Sequence, residues 1–509
     1  MNKFKIWATG LALLACGSRA FAQNETDAIR YSMLGFGGTA RMQGIAGAQT
    51  ALGPDASNMA GNPAGLGFYR KSEFTFSPGF NFNNTDSFLG TSSTPDSRNN
   101  FNIPQIGVVF TNRKADEVVS DWRSGSFGFG FTRLNSLQAN TSYTGTVADN
   151  KSFLQSLDDN IRNFNLTKAQ LDLEYGTGGN NITTLEGLAY ATYLIDVDSA
   201  TGALYVPARQ GAITQSESIE SRGAQNQFDF SYGASYKDKL FIGGSIGIAT
   251  INYKQTRSYT ETTTNDEPYF SSLTLNDYFE TSGAGINFKL GLIYKPTDAF
   301  RMGATIQTPT FYGLSDDYSS SMRANYKPGV FNTTSISAQT LGGTFEYNLT
   351  TPFRANGGLG YLFNKYGFIS ADVEYVGYGG ARFSISDDNP YGIDPGTGYF
   401  SQQNRIIANT YNGAVNYRIG AEGRFDIFRV RAGYAHYGDP YKNSTLDRGR
   451  NYYTVGIGLK EERYFIDAAY VHSAWNSYYS PYKLNDNSQP VVKIENTNVN
   501  FVITTGFNF

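Results

Sequence analysis

The chain closes on "NFVITTGFNF", residues 500–509, in which Phe501, Ile503, Thr505, Phe507 and Phe509 fall on one face of an extended strand. Successive side chains of a strand point to opposite faces, so this alternation reads as a sheet that is apolar on one side only. The pattern recurs along the chain. "SFGFGFTR" (126–133) aligns Phe127, Phe129 and Phe131, and "GINFKLGLIYK" (285–295) aligns Ile286, Phe288, Leu290, Leu292 and Tyr294. "GFISADVEYVGY" (367–378) sets Ile369, Ala371, Val373 and Tyr375 against Ser370, Asp372 and Glu374. "AVNYRIGAEGRF" (414–425) sets Val415, Tyr417, Ile419 and Ala421 against Asn416, Arg418, Glu422 and Arg424.

The connections decide between a soluble sandwich and a membrane barrel. Short ones (237–239, 295–299, 364–367, 424–428, 460–463) alternate with long ones, at roughly 85–100, 136–224, 259–275, 313–343, 385–411, 438–450 and 476–493. Short turns on one side and long loops on the other are the signature of an outer-membrane barrel, and counting the segments between them predicts about 14 antiparallel strands. The expected fold is therefore all-β, a transmembrane barrel. A terminal aromatic on an alternating last strand resembles the recognition signal of the outer-membrane assembly machinery, which makes that machinery an expected partner through Phe509.

Composition agrees. Of 509 residues, 15 % are aromatic and only 17 % are charged, with 56 glycines, as fits strands that place every second residue in lipid. After the N-terminus no apolar run is long enough for a membrane helix. A net charge of −3 provides no basic field for nucleic acid.

The N-terminus, "MNKFKIWATGLALLACGSRAFAQ", has basic Lys3 and Lys5, a short apolar core and an Ala20-Phe21-Ala22 cleavage site. It reads as a secretory signal over 1–22. The rival lipobox, Leu13-Leu14-Ala15-Cys16, would cut inside the apolar core and leave the A-x-A site unused. Cys16 is the only cysteine, so the mature chain is expected to have neither disulfide nor thiolate chemistry.

Few residues invite catalysis, and the chain is read as a non-enzyme without cofactor or metal. "GFGGTARMQG" and "GLGFYR" lack the Lys-Ser/Thr ending of a phosphate loop. His436 and His472 are the only histidines; Ser473 adjoins His472, but strand neighbours point to opposite faces. The charges Arg354, Asp372, Glu374, Arg418, Glu422, Arg424, Arg429 and Arg431 are expected to face the lumen, as a selectivity lining or an anchor for a plug, or as a paired network that braces the wall. In the longest loop, "SFLQSLDDNIRNF" (152–164) and "TTLEGLAYATYL" (183–194) carry helical spacing, with Ser152 as a cap. Their apolar stripes fit a lid packed on its own barrel, a landing site for hydrophobic molecules, or both.

Before the first strand lies a small-residue segment, 23–71. Within "DASNMAGNPAGLGFYR" (55–70), Pro63 keeps Asn62 out of the helical region and Asn62 is suited to lock a turn. Entering from the short-turn side, the segment is expected to fold inside the barrel (72–509). Residues 37–66, "GGTARMQGIAGAQTALGPDASNMAGNPAGL", resemble the N-terminal hatch of the FadL/TodX family of outer-membrane transporters for long-chain fatty acids and aromatic hydrocarbons. Asn62, Pro63 and Ala64 match its Asn-Pro-Ala motif, and Gly44, Gly47, Ala48, Asp55 and Ala56 resemble the run upstream. The resemblance implies a 14-strand barrel that passes hydrophobic molecules from outer loops to an internal site. A hatch movement would then release them sideways into membrane lipid, beside a kinked third strand. Gly125, Gly128 and Gly130 of that strand fit such a bend. The competing expectation is a barrel of the same build with a permanently closed plug, serving a structural or partner-binding role.

Overall fold

A computed structural model describes residues 25–509 except 116, 177, 180, 208–210, 264–268, 387–397 and 444. The expected signal segment lies outside the described residues. A closed barrel of 14 antiparallel strands dominates the molecule. Its first half comprises β1 (Glu73–Leu89), β2 (Ser92–Arg113), β3 (Trp122–Ser136, continued by Ala139–Val147), β4 (Ile213–Tyr236), β5 (Leu240–Thr263), β6 (Phe270–Tyr294) and β7 (Phe300–Gln307, continued by Phe311–Tyr326). The second half comprises β8 (Gly343–Thr350, continued by Arg354–Leu362), β9 (Gly367–Gly377, continued by Arg382–Ile385), β10 (Gly413–Phe425), β11 (Phe428–Tyr437), β12 (Arg450–Lys460), β13 (Tyr464–Tyr479) and β14 (Val492–Asn508).

The last strand pairs with the first from Glu73↔Asn508 to Phe88↔Lys493. Ser72 and Phe509 complete the seam by exchanging backbone hydrogen bonds of 3.1 and 2.9 Å. Closure removes the sheet edges, which lipid cannot hydrate. The outer face of β6 marks the membrane. Ile286, Phe288, Leu290, Leu292 and Tyr294 are exposed, and the same face continues upward through polar Ser282, Glu280 and Asn276.

Several expected long loops are instead strand. The β1–β2 connection is a turn at Gly90-Thr91, and the segment expected as a loop over 136–224 reduces to 148–212 between strands. β4, β5 and β6, of 24, 24 and 25 residues, are more than twice the roughly 9–11 residues that a membrane crossing needs. They rise above the lipid as a tall wall. Three helices, α3 (Phe153–Asn163), α4 (Lys168–Tyr175) and α5 (Leu185–Ala191), follow the outer part of β3. Ser152 caps α3, its Oγ accepting from Gln155 N at 3.3 Å. Phe153, Leu154, Leu157 and Ile161 of α3 and Leu188 of α5 share an apolar core with Tyr259, Leu273, Leu275 and Met322 of the wall. The apolar stripes are thus consumed largely by the lid.

Residues 25–72, which carry α1 (Glu25–Ser32) and α2 (Ala40–Gln43), are hydrogen-bonded to strands on several sides of the barrel. Ala40 N donates to Thr504 Oγ1 at 2.7 Å, Thr454 Oγ1 donates to Gly44 O at 3.0 Å, and Ser124 Oγ donates to Gly67 O at 2.8 Å. Several of the closest approaches of backbone to wall fall on wall glycines. A Cβ on Gly303 would sit 2.0 Å from Thr50 O, and one on Gly243 2.4 Å from the Pro63 carbonyl carbon.

Candidate functional site: a cavity beside an interrupted wall

The barrel wall is interrupted between β2 and β3. Their ladder runs from Arg113↔Ser124 to Gln105↔Thr132 and ends there. Pro104 follows on β2, and a proline has no N–H with which to extend the ladder. The β1–β2 pairing also slips beside it, between Ser77 and Gly79. Above this point β2 stays with β1, while Arg133–Ser136 and then Ala139–Val147 follow β4. The upper part of β3 leans into the lumen and reaches β1: Asn83 Nδ2 donates to Gln138 O and Thr85 Oγ1 to Asn140 O, both at 2.8 Å. Arg98 spans the separation above the interruption, its Nε donating to Gln138 Oε1 at 2.7 Å.

A cavity of 360 Å³ lies against this interruption. Its lining is rich in amides, with Asn81, Asn83, Asn102, Asn496, Asn498 and Asn500 on the inward positions of β1, β2 and β14. Apolar residues are interspersed: Val471 and Trp475 lie directly beside Asn500 and Asn496, and Met33, Phe36, Leu134, Leu137 and Tyr452 complete the surface. Three arginines, Arg30, Arg133 and Arg450, line it, with no carboxylate among the described lining residues. Arg30 pairs with Asp27 nearby. Arg133 donates to Asn226 Oδ1, and Arg450 lies 3.8 Å over the Trp475 ring. The buried Asn83 Oδ1, Asn500 Oδ1, Ser136 Oγ and Arg450 Nε have no hydrogen-bond partner among the described residues. The surface suits an amphiphile, because it offers hydrogen bonds, positive charge and apolar contact together.

The N-terminal segment borders this cavity. Gly35 N donates to Leu134 O at 3.1 Å, and Asn135 Nδ2 donates to Met33 O at 3.0 Å. Deeper in the lumen Asn62 caps a 3₁₀ turn, Pro63–Phe68: its Oδ1 accepts from Ala64 N at 3.1 Å while its Nδ2 reaches Thr50 O and, on β6, Leu292 O. The extended backbone at Asn62 is the conformation that Pro63 imposes. Asp55 caps the preceding turn, accepting from Ser57 N and Thr39 Oγ1 at 2.9 Å each. Gly44 packs closely against Gly456 of β12, and Gly47 holds φ +72° beside Phe36.

The strand-3 glycines play a different part from the one expected. β3 is paired on both sides through Gly125, Gly128 and Gly130 and leaves β2 only after Thr132. Gly128 and Gly130 face inward and make room for Met59; Gly125 sits beneath the Tyr232 hydroxyl. The bend falls at 133–138, which holds no glycine, so the informative signal was Pro104 on the neighbouring strand. The asparagine ladder was equally legible, because all six residues alternate in "NFNN", "NFNI" and "NTNVN".

The lumen charges form paired networks. Glu374 accepts from Arg418 and Arg354 and from Asn416; Glu422 accepts from Arg424 and Arg431; Asp467 accepts from Arg431 at 2.6 Å. Asp372 instead holds the N-terminal segment, accepting from Thr50 N at 2.9 Å and Thr50 Oγ1 at 2.8 Å. His436 stacks on Tyr417 and binds Asn451, and His472 lies near Tyr453. Both histidines occupy outward positions in the aromatic rim.

The 14-strand barrel resembles solved structures over nearly its whole length. A Pseudomonas aeruginosa FadL homologue superposes with a TM-score of 0.56 at 13 % identity, over 94 % of this chain and 100 % of the other. The chain has the FadL fold. The Pseudomonas putida toluene transporter TodX superposes with a TM-score of 0.50 at 14 % identity, over 94 % and 99 % of the two chains. No protein-family model and no curated protein sequence matches the chain. As a FadL-type barrel, with an apolar belt and an even strand number, it has the architecture of a bacterial outer-membrane protein.

Proposed function

We propose that this FadL-type barrel carries hydrophobic small molecules passively across the outer membrane. Residues 23–71 act as a hatch, and cargo leaves sideways between β2 and β3. The observation that carries the reading is the interruption above Gln105↔Thr132, backed by a cavity that the N-terminal segment borders. Lateral exit suits a greasy solute, which gains free energy on entering the bilayer and avoids the polar lumen. Between the cargo classes of the related folds, the arginines and amides of the lining favour a long-chain fatty acid over an aromatic hydrocarbon.

A structural or partner-binding barrel is the second reading. It is favoured by the density of hydrogen bonds that tie the segment to the wall. Uptake of labelled long-chain fatty acid, toluene and a small sugar separates the two, in cells lacking the protein, carrying it intact, or carrying Asn62→Ala with Pro63→Ala. Transport predicts fatty-acid uptake that requires the protein and changes with the double variant. Equal uptake in all three, with the barrel assembled, leaves the structural role.

A further inference from the structure

A second cavity, of 310 Å³, lies at the floor of the lumen, between the N-terminal segment and the short-turn ends of β7, β10, β11 and β12. Its charges do not balance. Arg41, Arg424 and Arg431 are neutralised by Asp55, Glu422 and Asp467. The fourth carboxylate of the lining, Glu73, accepts from the Tyr69 hydroxyl at 2.7 Å. Three further cations, Arg301, Arg429 and Lys460, line the same space with no carboxylate in ion-pair contact among the described residues. The Arg301 Nε is buried without a hydrogen-bond partner, and its guanidinium lies 4.6 Å over the Phe68 ring. Arg429, at the exposed edge of the cavity, donates to the backbone carbonyls of Asp426 and Phe428. The Lys460 ammonium lies 5.4 Å over the Phe465 ring.

An unmatched guanidinium withdrawn from water is costly unless a counter-charge completes it. We propose that the floor cavity binds a compact oxyanion of the phosphate class, held by Arg301, Arg429 and Lys460. A guanidinium fork matches two phosphate oxygens at once, and an ammonium adds a point charge from another side. Two sources supply that chemistry at the periplasmic face: free phosphate, and the phosphodiester of an inner-leaflet lipid headgroup. The cavity also carries Leu52, Pro54 and Asp55 of the N-terminal segment. Arg41 Nη1 donates to Pro54 O at 2.7 Å. An occupant therefore bridges segment and wall, and by linkage it favours the seated segment. This site stands apart from the cavity beside β2 and β3 and does not depend on what passes there.

The test uses the full mature chain in an uncharged maltoside detergent. Sodium phosphate is titrated by calorimetry against sodium chloride at matched ionic strength, and short-chain phosphatidylglycerol is titrated below its micelle concentration. Saturable binding of one phosphate per chain is expected. It should weaken at least tenfold in Arg301→Gln with Lys460→Gln, and remain unchanged in Arg382→Gln, a control far from the floor. Competition by the lipid identifies the headgroup as the source, and phosphate binding without lipid binding identifies the free anion. Absence of saturable phosphate and lipid binding to the unaltered protein overturns the proposal, whatever the variants do. So does equal phosphate binding by a folded double variant.

Discussion

Asn62 does two jobs with one amide: its carbonyl oxygen caps the turn at Ala64 N, and its Nδ2 ties that turn to Thr50 and to the β6 backbone at Leu292. Asn62→Ala removes both. The expected loss is about 1 kcal/mol for the cap and a similar amount for the ties. It should show as faster amide hydrogen exchange over 63–68 with the barrel strands unchanged; unaltered exchange would show that neighbouring contacts suffice. On the short-turn side, Asp238 is held by Arg113 through two bonds of 2.9 Å and by Ser235. The Arg113 hydrogen bonds depress its carboxyl to about 2. A depressed carboxylate contributes stability above its unfolded value and loses it as pH falls through the folded one. The contribution is therefore expected to be complete at neutral pH, to decline below about 4 and to vanish near 2. Carboxyl NMR titration should find that low midpoint, and Arg113→Gln should raise it toward about 3.9.

Among the elements, β3 bears most directly on the proposed mechanism. Its lower half is an ordinary barrel strand and its upper half belongs to the lumen; the change of partner falls where Pro104 stops the β2 ladder. Extending the register of that ladder by two residues would set Ile103 opposite Leu134. A flexible cross-link between Ile103→Cys and Leu134→Cys is expected to hold the interruption shut and abolish hydrophobe uptake, with the unlinked double variant still active. The only native cysteine, Cys16, falls in the expected signal segment, so such a link is specific. Uptake undiminished by complete cross-linking would move the exit elsewhere. The same strand shows why the glycine reading misled. Gly128 and Gly130 are small because Met59 needs the room, a long-range demand that local strand propensity does not contain.

At the scale of the whole molecule, the proposed hatch would occupy cross-section that a barrel of this size otherwise leaves to water. Deleting residues 23–71 is expected to turn a barrel that does not admit sugar into one that does. Liposome swelling in sugar would report this, with the intact chain giving none. Swelling by the intact protein would mean that the segment is no barrier. The extracellular wall makes a second point at this scale. β4 to β6 continue their ladders far beyond the lipid, and the lid core of α3 and α5 forms on that extension.

The sequence by itself determined the barrel. Period-two alternation is a local property that lipid enforces on every crossing strand, and short turns mark one side of the membrane wherever they fall. The Asn-Pro turn and the Ser152 cap are equally local, each made by a side chain and a backbone amide two or three residues away. Above the membrane that legibility ended. Water no longer requires an apolar outer face, so the strands ran on into segments that read as loops. Only the tertiary structure decided where β3 leaves its neighbour, which side chains line the resulting cavity, and which lumen charges find partners. Each of these depends on what lies across the barrel. Arg431 meets Glu422 and Asp467, while the Arg301 Nε finds no hydrogen-bond partner among the described residues.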